Sequence, residues 1–322
     1  MRLFITGAAG FIGSNYLRHV LATTDHSAVA FDALTYAGNL DSIKDVLGDR
    51  ALFVHGDVTD RSAVRSAMSG CGRVVHFAAE SHVDRSISGP DAFVHTNCLG
   101  TSVLCDVARE VGVERFVHVS TDEVYGSVEA GSSRETDAVA PRSLYAASKA
   151  GSDHIALSYF STHGLPVIVT RASNNYGPFQ FPEKVIPLFA TNLLDGGRVP
   201  LYGDGLNIRD WLHVDDHCVA IDTILSKGDD GEIYNVGAGN EITNRDLTGR
   251  LVELCGRDES AIEYVPDRPG HDRRYSLDCT KLRTLGWAPR QDLIAGLERT
   301  VEWYRTNRNW WEALKSRVAV RP

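Results

Sequence analysis

The sequence predicts a doubly wound α/β fold with a mostly parallel sheet, followed by a smaller, partly helical C-terminal lobe. Two observations carry this prediction. Short apolar runs rich in β-branched residues alternate with stretches long enough for crossover helices, and a glycine-rich turn follows the first run. Runs that are apolar on both faces are typical of buried parallel strands. They lie at 2–6, 28–32, 51–54, 73–78, 115–120, 166–171 and 232–236.

The turn after the first strand has the spacing Gly-x-x-Gly-x-x-Gly. Its glycines are Gly7, Gly10 and Gly13. They allow a tight turn and a close approach of the backbone to a phosphate, at the start of a helix whose N-terminus favours an anion. Asp32 ends the second strand, where a carboxylate accepts hydrogen bonds from a ribose diol and repels a 2′-phosphate. The turn therefore predicts a Rossmann-type dinucleotide site that prefers NAD to NADP.

Two neighbouring residues extend this site. Asp57 and Val58 follow the third strand, where they are candidates to contact the adenine. An aspartate at that position can equally cap a helix. In the helix after the glycine-rich turn, Ile12, Tyr16 and Val20 share one face and are expected to pack on the sheet.

Tyr145 and Lys149 stand four residues apart, which places both on one face of a predicted helix. A phenol ionises at about pH 10, and a nearby ammonium together with a positive nicotinamide ring would favour its phenolate. The pair could then deprotonate an alcohol as a hydride leaves its carbon. The alternative is an exposed tyrosine and a solvated lysine on an ordinary helix, and the dinucleotide turn upstream favours the catalytic interpretation.

An acidic pair, Asp122 and Glu123, follows the strand that ends at Ser120 and Thr121. Ligands of doubly wound sheets bind at the carboxyl ends of the strands, next to the dinucleotide crevice. Two adjacent carboxyl groups can divide acid and base work if their environments separate their pKa values. The alternative is a pair of loop carboxylates that cap a helix or face solvent.

After Asn174 the strand pattern loosens, because prolines interrupt the elements. We expect a cofactor-binding domain over 1–173, with return segments near 210–240, and a substrate lobe over 174–322. The strand-like run at 232–236 indicates the return to the main sheet. Lys184 precedes a predicted helix whose start could meet a pyrophosphate. The tryptophans near the C-terminus predict a final amphipathic helix; they are Trp303, Trp310 and Trp311.

The composition excludes several classes of protein. The chain has 322 residues, of which 43% are hydrophobic and 23% charged, and no apolar run approaches the roughly 20 residues of a membrane span. The net charge of −9 argues against nucleic-acid binding, so an anionic substrate needs a local basic pocket. The N-terminal strand leaves no room for a signal peptide, which predicts a cytoplasmic location. The six cysteines lack zinc-ligand spacing and are expected to be reduced thiols, with no metal site.

The glycine-rich turn, the Tyr145–Lys149 pair and Ser120-Thr121 together resemble the extended short-chain dehydrogenase/reductase family of NAD-dependent epimerases and dehydratases. The likeness covers essentially the whole chain. Four stretches are similar to the nucleotide-sugar 4,6-dehydratase branch; they are 76–84, 120–126, 145–153 and 271–275. This resemblance implies a dTDP-glucose substrate, oxidation at C4, elimination of water across C5 and C6, and return of the hydride to C6, which regenerates NAD.

The resemblance also implies a role for each residue. Glu123 is then the C5 base, Asp122 the C6 acid, Tyr145 the C4 base, Lys149 its electrostatic partner and Thr121 the donor that positions the C4 oxygen. The implied NAD site adds Phe11, Ile12, Ala33, Leu34, Thr35, Phe77, Ala78, Ala79, Ser81, Thr96 and Asn175 to the turn, Asp32, Asp57, Val58, Tyr145 and Lys149. The implied nucleotide-sugar site adds Ser81, Asn174, Lys184, Val185, Pro200, Tyr202, Arg209, Asn244, Arg268, His271 and Tyr275 to Thr121, Asp122 and Glu123.

Other functions stay open at this point. Another nucleotide-sugar 4,6-dehydratase or a UDP-glucuronate decarboxylase would share the C4 oxidation. Epimerases of the family generally lack an acidic pair after the Ser/Thr. A non-catalytic NAD-binding scaffold would predict a broken catalytic set, whereas the five expected residues are all present. The resemblance further implies a homodimer, for which we hypothesise a four-helix interface built from helices at about 102–111 and 147–158.

Overall fold

The computed structural model describes residues 1–267, 271–315 and 317, and within them seven strands form one parallel sheet. The strands of the molecule are β1 (Arg2–Thr6), β2 (Ser27–Asp32), β3 (Ala51–His55), β4 (Arg73–His76), β5 (Arg115–Thr121), β6 (Val167–Ala172), β7 (Asn174–Tyr176), β8 (Val199–Tyr202), β9 (Ile208–His213), β10 (Ile233–Val236), β11 (Glu241–Thr243) and β12 (Ile262–Val265). The main sheet has the order β10-β6-β5-β4-β1-β2-β3. This order reverses direction at β1, as in doubly wound folds. The predicted fold class is therefore confirmed.

Helices flank the sheet and build the lobe. They are α1 (Phe11–Thr23), α2 (Arg61–Met68), α3 (Val83–Ser88), α4 (Pro90–Phe93), α5 (Gly100–Val111), α6 (Leu144–His163), α7 (Val185–Leu194), α8 (Val214–Lys227), α9 (Asn244–Leu254), α10 (Thr280–Thr284), α11 (Leu293–Thr306) and α12 (Arg308–Lys315). A π-helical segment, Val94–Leu99, joins α4 to α5. None of the helices in the described part of the chain combines the length and apolar character of a membrane span.

Residues of each sheet strand alternate between two apolar cores. On β1, Ile5 packs into a core with α1 and α8, whereas Phe4 packs into a core with α2, α5 and α6. Both side chains are fully buried. Because each face of the sheet is covered by helices, the strands are apolar on both sides, which is the pattern seen in the sequence. Tyr16 and Val20 of α1 are buried in the first core, as predicted.

The chain returns to the main sheet after it has entered the lobe. Helix α8 packs against α1, and β10 pairs in parallel with β6 at the edge of the sheet. The predicted strand at 232–236 is thus present as β10. The smaller sheet has the order β11-β9-β7, and its strand β7 starts two residues after β6 ends. This arrangement brings the lobe next to the carboxyl ends of the main strands.

The C-terminal tryptophans lie on two helices, so the prediction of a single final helix is wrong. Trp303 belongs to α11, whereas Trp310 and Trp311 belong to α12. Asn307 separates the helices: its backbone N–H and its side-chain amide both donate to the carbonyl of Trp303, each at 2.9 Å. An asparagine side chain that bonds the backbone in this way competes with helix propagation.

Candidate active site

The glycine-rich turn requires glycine for steric reasons at two positions. Gly7 has a φ of +66°, and a Cβ there would lie 2.7 Å from the backbone nitrogen of Ala78. A Cβ on Gly13 would overlap the carbonyl oxygen of Gly7. Gly10 is the N-cap of α1 and contributes no side-chain bond to the helix. The first backbone N–H groups of α1 are therefore left for an anionic ligand, as a pyrophosphate site needs.

Asp32 lies at the end of β2, beside this turn. Its Oδ2 accepts from the backbone N–H of Ala9 at 2.9 Å, and its Oδ1 accepts from that of Leu34 at 2.7 Å. Burial raises the pKa of the Asp32 carboxyl, and these backbone hydrogen bonds oppose the rise. Each oxygen keeps a lone pair for a ribose hydroxyl. The carboxylate is thus held in place by the backbone while remaining able to accept from a ribose.

A cavity runs along the carboxyl ends of the strands and contains most of the residues predicted for the cofactor. Those that line it are Gly7, Gly10, Phe11, Ile12, Gly13, Asp32, Ala33, Thr35, Asp57, Val58, Phe77, Ala78, Ala79, Ser81, Thr96, Tyr145 and Lys149. Asn175 lines the adjoining cavity instead. Leu34 lines neither, because it turns with a φ of +48° and packs against the core. None of the described lining residues is an arginine, which fits a ribose without a 2′-phosphate.

The hydrogen bonds of Asp57 test whether it caps a helix, which was the alternative to a contact with the adenine. Its Oδ1 accepts from the backbone and the hydroxyl of Thr59, both at 2.8 Å. The N-cap of α2 is Asp60, which accepts from the backbone of Ser62 and Ala63. The helix-capping alternative for Asp57 is therefore wrong, and its carboxylate lines the cofactor cavity.

A bridge of polar side chains crosses the boundary between the cavities. The Tyr36 hydroxyl donates to Glu183 at 3.0 Å, and the guanidinium of Arg85 lies 3.7 Å from the centre of the Tyr36 ring. Lys184 donates from Nζ to the carbonyl of Ser81 at 2.7 Å. These contacts join three segments that are far apart in sequence. Tyr36 and Glu183 were not predicted from the sequence, since neither lies in a periodic element.

Tyr145 and Lys149 occupy one face of α6, as predicted, and both are buried. Lys149 Nζ donates to the carbonyl of Val119 at 2.8 Å. Burial lowers the pKa of Lys149 to about 8, although Asp153 opposes the shift. The alternative of an exposed tyrosine and a solvated lysine is excluded by this burial.

The pKa of Tyr145 is raised in the protein without its cofactor. Burial raises it first and the charge of Glu123 raises it further, while a hydrogen bond with Thr121 lowers it. Lys149 Nζ donates to the backbone carbonyl of Val119. The predicted lowering requires the nicotinamide ring as well as the ammonium, so it stays a prediction for the protein with NAD bound. A positive charge next to the phenol, such as an oxidised nicotinamide ring carries, would favour the phenolate.

The acidic pair begins a short 3₁₀ turn, Asp122–Tyr125, directly after β5. Thr121 caps the turn by accepting from the backbone N–H of Glu123 at 3.3 Å, and its hydroxyl is 3.3 Å from Oδ1 of Asp122. Asp122 is buried, whereas Glu123 is partly exposed. Burial raises the pKa of Asp122 well above its ordinary range, and the charges of Glu123 and Asp210 raise it further. Burial therefore favours the protonated form of Asp122 beside the more exposed carboxyl group of Glu123.

A second cavity adjoins the first between the main sheet and the lobe. The predicted substrate residues that line it are Ser81, Thr121, Asp122, Glu123, Asn174, Lys184, Val185, Pro200, Tyr202, Arg209, Asn244, His271 and Tyr275. Tyr145 lines both cavities. Arg268 lies outside the described residues. The acidic pair, the tyrosine and the lobe therefore meet in one place.

The lobe contributes two basic side chains to this cavity, Lys184 and Arg209. Helix α7 starts at its wall with Lys184 as N-cap, and the Lys184 side chain makes no capping hydrogen bond to the first turn. Arg209 donates from Nη2 to the carbonyl of Asp272 at 2.8 Å and lies 4.2 Å from the centre of the Tyr275 ring. A helix N-terminus with an anchored guanidinium suits an anionic ligand. Because acidic side chains line the same cavity, the predicted basic pocket stays a prediction.

Several lining residues were not predicted. In the second cavity they include His82, Asp84, Leu188, Phe189, Trp211, His217 and Thr248, and Gln180 lines both cavities. His217 and Trp211 lie within α8 and β9, where their sequence pattern is that of ordinary core positions. Gln180 lies between elements, where no periodic pattern indicates a site residue.

The parallel sheet, the dinucleotide turn and the buried Tyr145–Lys149 pair define a short-chain dehydrogenase/reductase fold with a substrate lobe. The family model described as GDP-mannose 4,6 dehydratase matches residues 4–300, and the chain belongs to this family.

Known relatives share the whole length of the chain. The dTDP-glucose 4,6-dehydratase of Streptomyces antibioticus is 57% identical, over 99% of this chain and 97% of the relative. The dTDP-glucose 4,6-dehydratase 1 of Escherichia coli K12 is 46% identical, over 98% of this chain and 96% of its own. Among solved structures, DesIV, a dTDP-glucose 4,6-dehydratase from Streptomyces venezuelae with NAD bound, superposes with a TM-score of 0.96 at 53% identity and covers 98% of this chain and 100% of its own.

Proposed function

We propose that the chain is an NAD-dependent dTDP-glucose 4,6-dehydratase. The observation that carries the proposal is the acidic pair: the buried Asp122, whose pKa is raised, and the partly exposed Glu123 line the same cavity as Tyr145. An elimination of water needs one group to give a proton and another to take one. The similarity to dTDP-glucose 4,6-dehydratases over almost the whole chain supports the same activity.

Each side chain then has a chemical task. Tyr145 takes the proton of the C4 hydroxyl, and Thr121 holds that oxygen. Glu123 removes the proton at C5, which the C4 ketone has made acidic. Asp122 gives its proton to the departing C6 hydroxyl, which leaves as water. NAD, when bound, supplies the site that holds the hydride between its removal from C4 and its return to C6.

The two cavities suggest how the ligands are divided. The residues of 1–173, with return segments near 210–240, would hold NAD, and those of 174–322 would hold the nucleotide diphosphate. Lys184, Arg209 and the start of α7 supply positive charge for the diphosphate. Tyr202 and His271, with ring centres 6.4 Å apart, are placed to contact the nucleoside. We also propose that the protein is located in the cytoplasm, a compartment that keeps thiols reduced. Its six free cysteines support this location.

A homodimer is also part of the proposal. An exposed patch joins the π-helical segment to α5 and α6, and its members include Val94, Leu99, Ser102 and Ile155. Val94 is 59% exposed and Leu99 is 46% exposed. Contiguous exposed apolar residues mark interaction surfaces. Ser102 and Ile155 lie on the two helices of the hypothesised four-helix interface, whereas Val94 and Leu99 lie on the π-helical segment before them.

The test is an assay with dTDP-glucose and no added nicotinamide cofactor. We expect a 4-keto sugar, detected by its absorbance in alkali, because the hydride returns to the same molecule and NAD is not consumed. Turnover of a UDP- or GDP-sugar without turnover of dTDP-glucose would reject the substrate. Glu123→Gln should abolish the product, and full activity in that variant would reject Glu123 as the C5 base.

A further inference from the structure

His217 lines the substrate cavity, but the proposed mechanism gives it no task. It lies on α8 and is fully buried. Its Nδ1 is 2.8 Å from Oδ1 of Asn175, a residue of β7. Its Nε2 is also buried and has no hydrogen-bond partner among the described residues. A leucine in this place would bury no unpartnered nitrogen, but it would leave Oδ1 of Asn175 without this donor.

The proton of the imidazole can be assigned from its neighbours. Asn175 directs its side chain to the carbonyl of Ser173 at 2.9 Å, and a carbonyl can only accept. The atom that faces Ser173 is therefore the amide nitrogen, and the atom that faces His217 is the amide oxygen. His217 must donate to that oxygen, so Nδ1 carries the proton. Burial lowers the pKa of His217 to about 3, which keeps the ring neutral.

Asn175 is held from three sides as a result. Its amide nitrogen bonds the carbonyl of Ser173 and its amide oxygen bonds His217. Its backbone carbonyl accepts from Gln180 Nε2 at 3.0 Å. Gln180 lines both cavities, and its own carbonyl accepts from the Tyr304 hydroxyl at 2.6 Å. The second hydrogen of the Asn175 amide remains available for a ligand in the substrate cavity, which Asn175 lines.

We propose that His217 is a positioning residue: its Nδ1–H fixes the Asn175 amide, so that Asn175 presents an N–H group where the cofactor ring and the sugar meet. The inference rests on the proposed function for its catalytic consequence. The unsatisfied Nε2 is unfavourable for folding, and the contact with Asn175 is what the imidazole contributes. His217 acts through Asn175 and exchanges no proton with the substrate.

The test uses four variants of the full-length holoenzyme: His217→Leu, His217→Asn, Asn175→Ala and the double variant His217→Leu/Asn175→Ala. The asparagine is the conservative variant, because its amide nitrogen can replace Nδ1 as a donor. We expect His217→Leu to lower kcat for dTDP-glucose by about ten- to a hundredfold with little change in KM, since misplaced groups affect the reacting geometry. It should also lower the NAD released per chain on denaturation. His217→Asn should recover most of both.

The double variant separates positioning from a merely structural role. If His217 acts through Asn175, His217→Leu should have no further effect on kcat or retained NAD in the Asn175→Ala background. Additive losses, or a His217→Asn variant as impaired as His217→Leu, would overturn the proposal. Thermal unfolding identifies a variant that fails to fold. If His217→Leu fails to fold, the kcat and the retained NAD of His217→Asn test the proposal instead. Should the unchanged protein not act on dTDP-glucose, the proposed function fails, whereas the retained NAD still tests His217.

Discussion

Asp122 and Glu123 are neighbours in sequence but occupy different environments. Only 3% of Asp122 is exposed, and the charges of Glu123 and Asp210 add to the effect of its burial on the pKa. Glu123 reaches the cavity from a partly exposed position. A buried carboxyl group is neutral more readily than an exposed one, because burial disfavours charge. These environments favour Asp122 as the acid and Glu123 as the base of the proposed elimination.

Replacing Asp122 by asparagine should raise stability while it removes activity. The pKa of Asp122 is raised in the folded protein, so the folded state binds more protons than the unfolded state above the ordinary value of 3.8. Stability from this group is therefore fully present below that value and is lost as the pH rises toward the folded pKa. Asp122→Asn removes this loss of stability, because an amide does not titrate. The rate at which the variant forms product should fall by about 10²–10⁴-fold, because the general acid is missing.

The measurement is the melting temperature of both proteins from pH 4 to pH 9. The variant should melt above the unchanged protein at neutral pH, and the gap should close toward pH 4. Asp49→Asn, at an exposed position, is the matched control and should show no pH-dependent gap. A gap that widens toward acid would contradict the assigned direction.

Lys149 should show the opposite dependence on pH. Burial lowers its pKa from 10.5 to about 8, so the folded state binds fewer protons between these values. Stability therefore rises as the pH passes from about 8 to 10.5. Lys149→Met should remove this dependence, on the order of 3 kcal/mol, and abolish turnover. Chemical denaturation at pH 7 and pH 10 measures the free energy of unfolding of both proteins. If the difference in this free energy between Lys149→Met and the unchanged protein is the same at both pH values, the buried-charge explanation is contradicted.

Helical periodicity predicted how two catalytic candidates lie relative to each other, but not every electrostatic consequence. Tyr145 and Lys149 were placed on one helix face because helical periodicity fixes that relation. The burial of Tyr145 and its proximity to Glu123, which raise its pKa without the cofactor, were not predicted. The contact of Lys149 with the carbonyl of Val119 also joins residues 30 positions apart. Such relations depend on tertiary packing, which local patterns do not encode.

At the scale of elements, the junction of β1 and α1 depends on how closely the helix approaches the turn. Gly13→Ala would place a methyl group on the carbonyl of Gly7. The carbonyl carbon and oxygen belong to the backbone, so they cannot rotate away as a side chain could. We expect α1 to shift and the chain to retain less NAD after purification. Gly249→Ala on α9 is the matched control, since nothing lies within 4 Å of its added methyl group. The control should gain about 1 kcal/mol of stability, as helical alanine does.

Released nucleotide per chain and the free energy of unfolding measure both variants. Equal NAD content in Gly13→Ala and the unchanged protein would show that the turn tolerates a side chain, contrary to the overlap described above.

Strands and helices were predicted where the pattern is periodic. All seven strands of the main sheet lie within a few residues of their predicted positions, because buried parallel strands are apolar on both faces. The bridge of Tyr36, Arg85 and Glu183 was missed, as was Gln180. These residues lie outside the periodic runs, and their partners are distant in sequence. The break at Asn307 was missed because one side-chain hydrogen bond ended an otherwise amphipathic pattern.

At the scale of the whole molecule, a net charge of −9 is compatible with a site for an anion, because Lys184, Arg209 and the start of α7 place positive charge locally at the substrate cavity. Many other basic residues are paired on the surface, as Arg61 is with Asp106 and Glu110. Exposed pairs of this kind contribute little to stability. The apolar patch on the π-helical segment has no such paired charges within the described part of the chain, and its exposed side chains need another explanation.

The proposed dimer should dissociate when charge enters this patch. Val94→Asp with Leu99→Asp replaces two exposed apolar side chains on the π-helical segment. A buried apolar side chain of this size contributes about 1.5–3 kcal/mol, so losing two, and burying two carboxylates, should weaken association by at least about a hundredfold. Sedimentation velocity at micromolar concentration should show a dimer for the unchanged protein and a monomer for the variant. Leu52→Asp, at a residue that is 54% exposed on β3, should remain a dimer. A monomeric unchanged protein, or a dimeric double variant, would contradict the proposed interface.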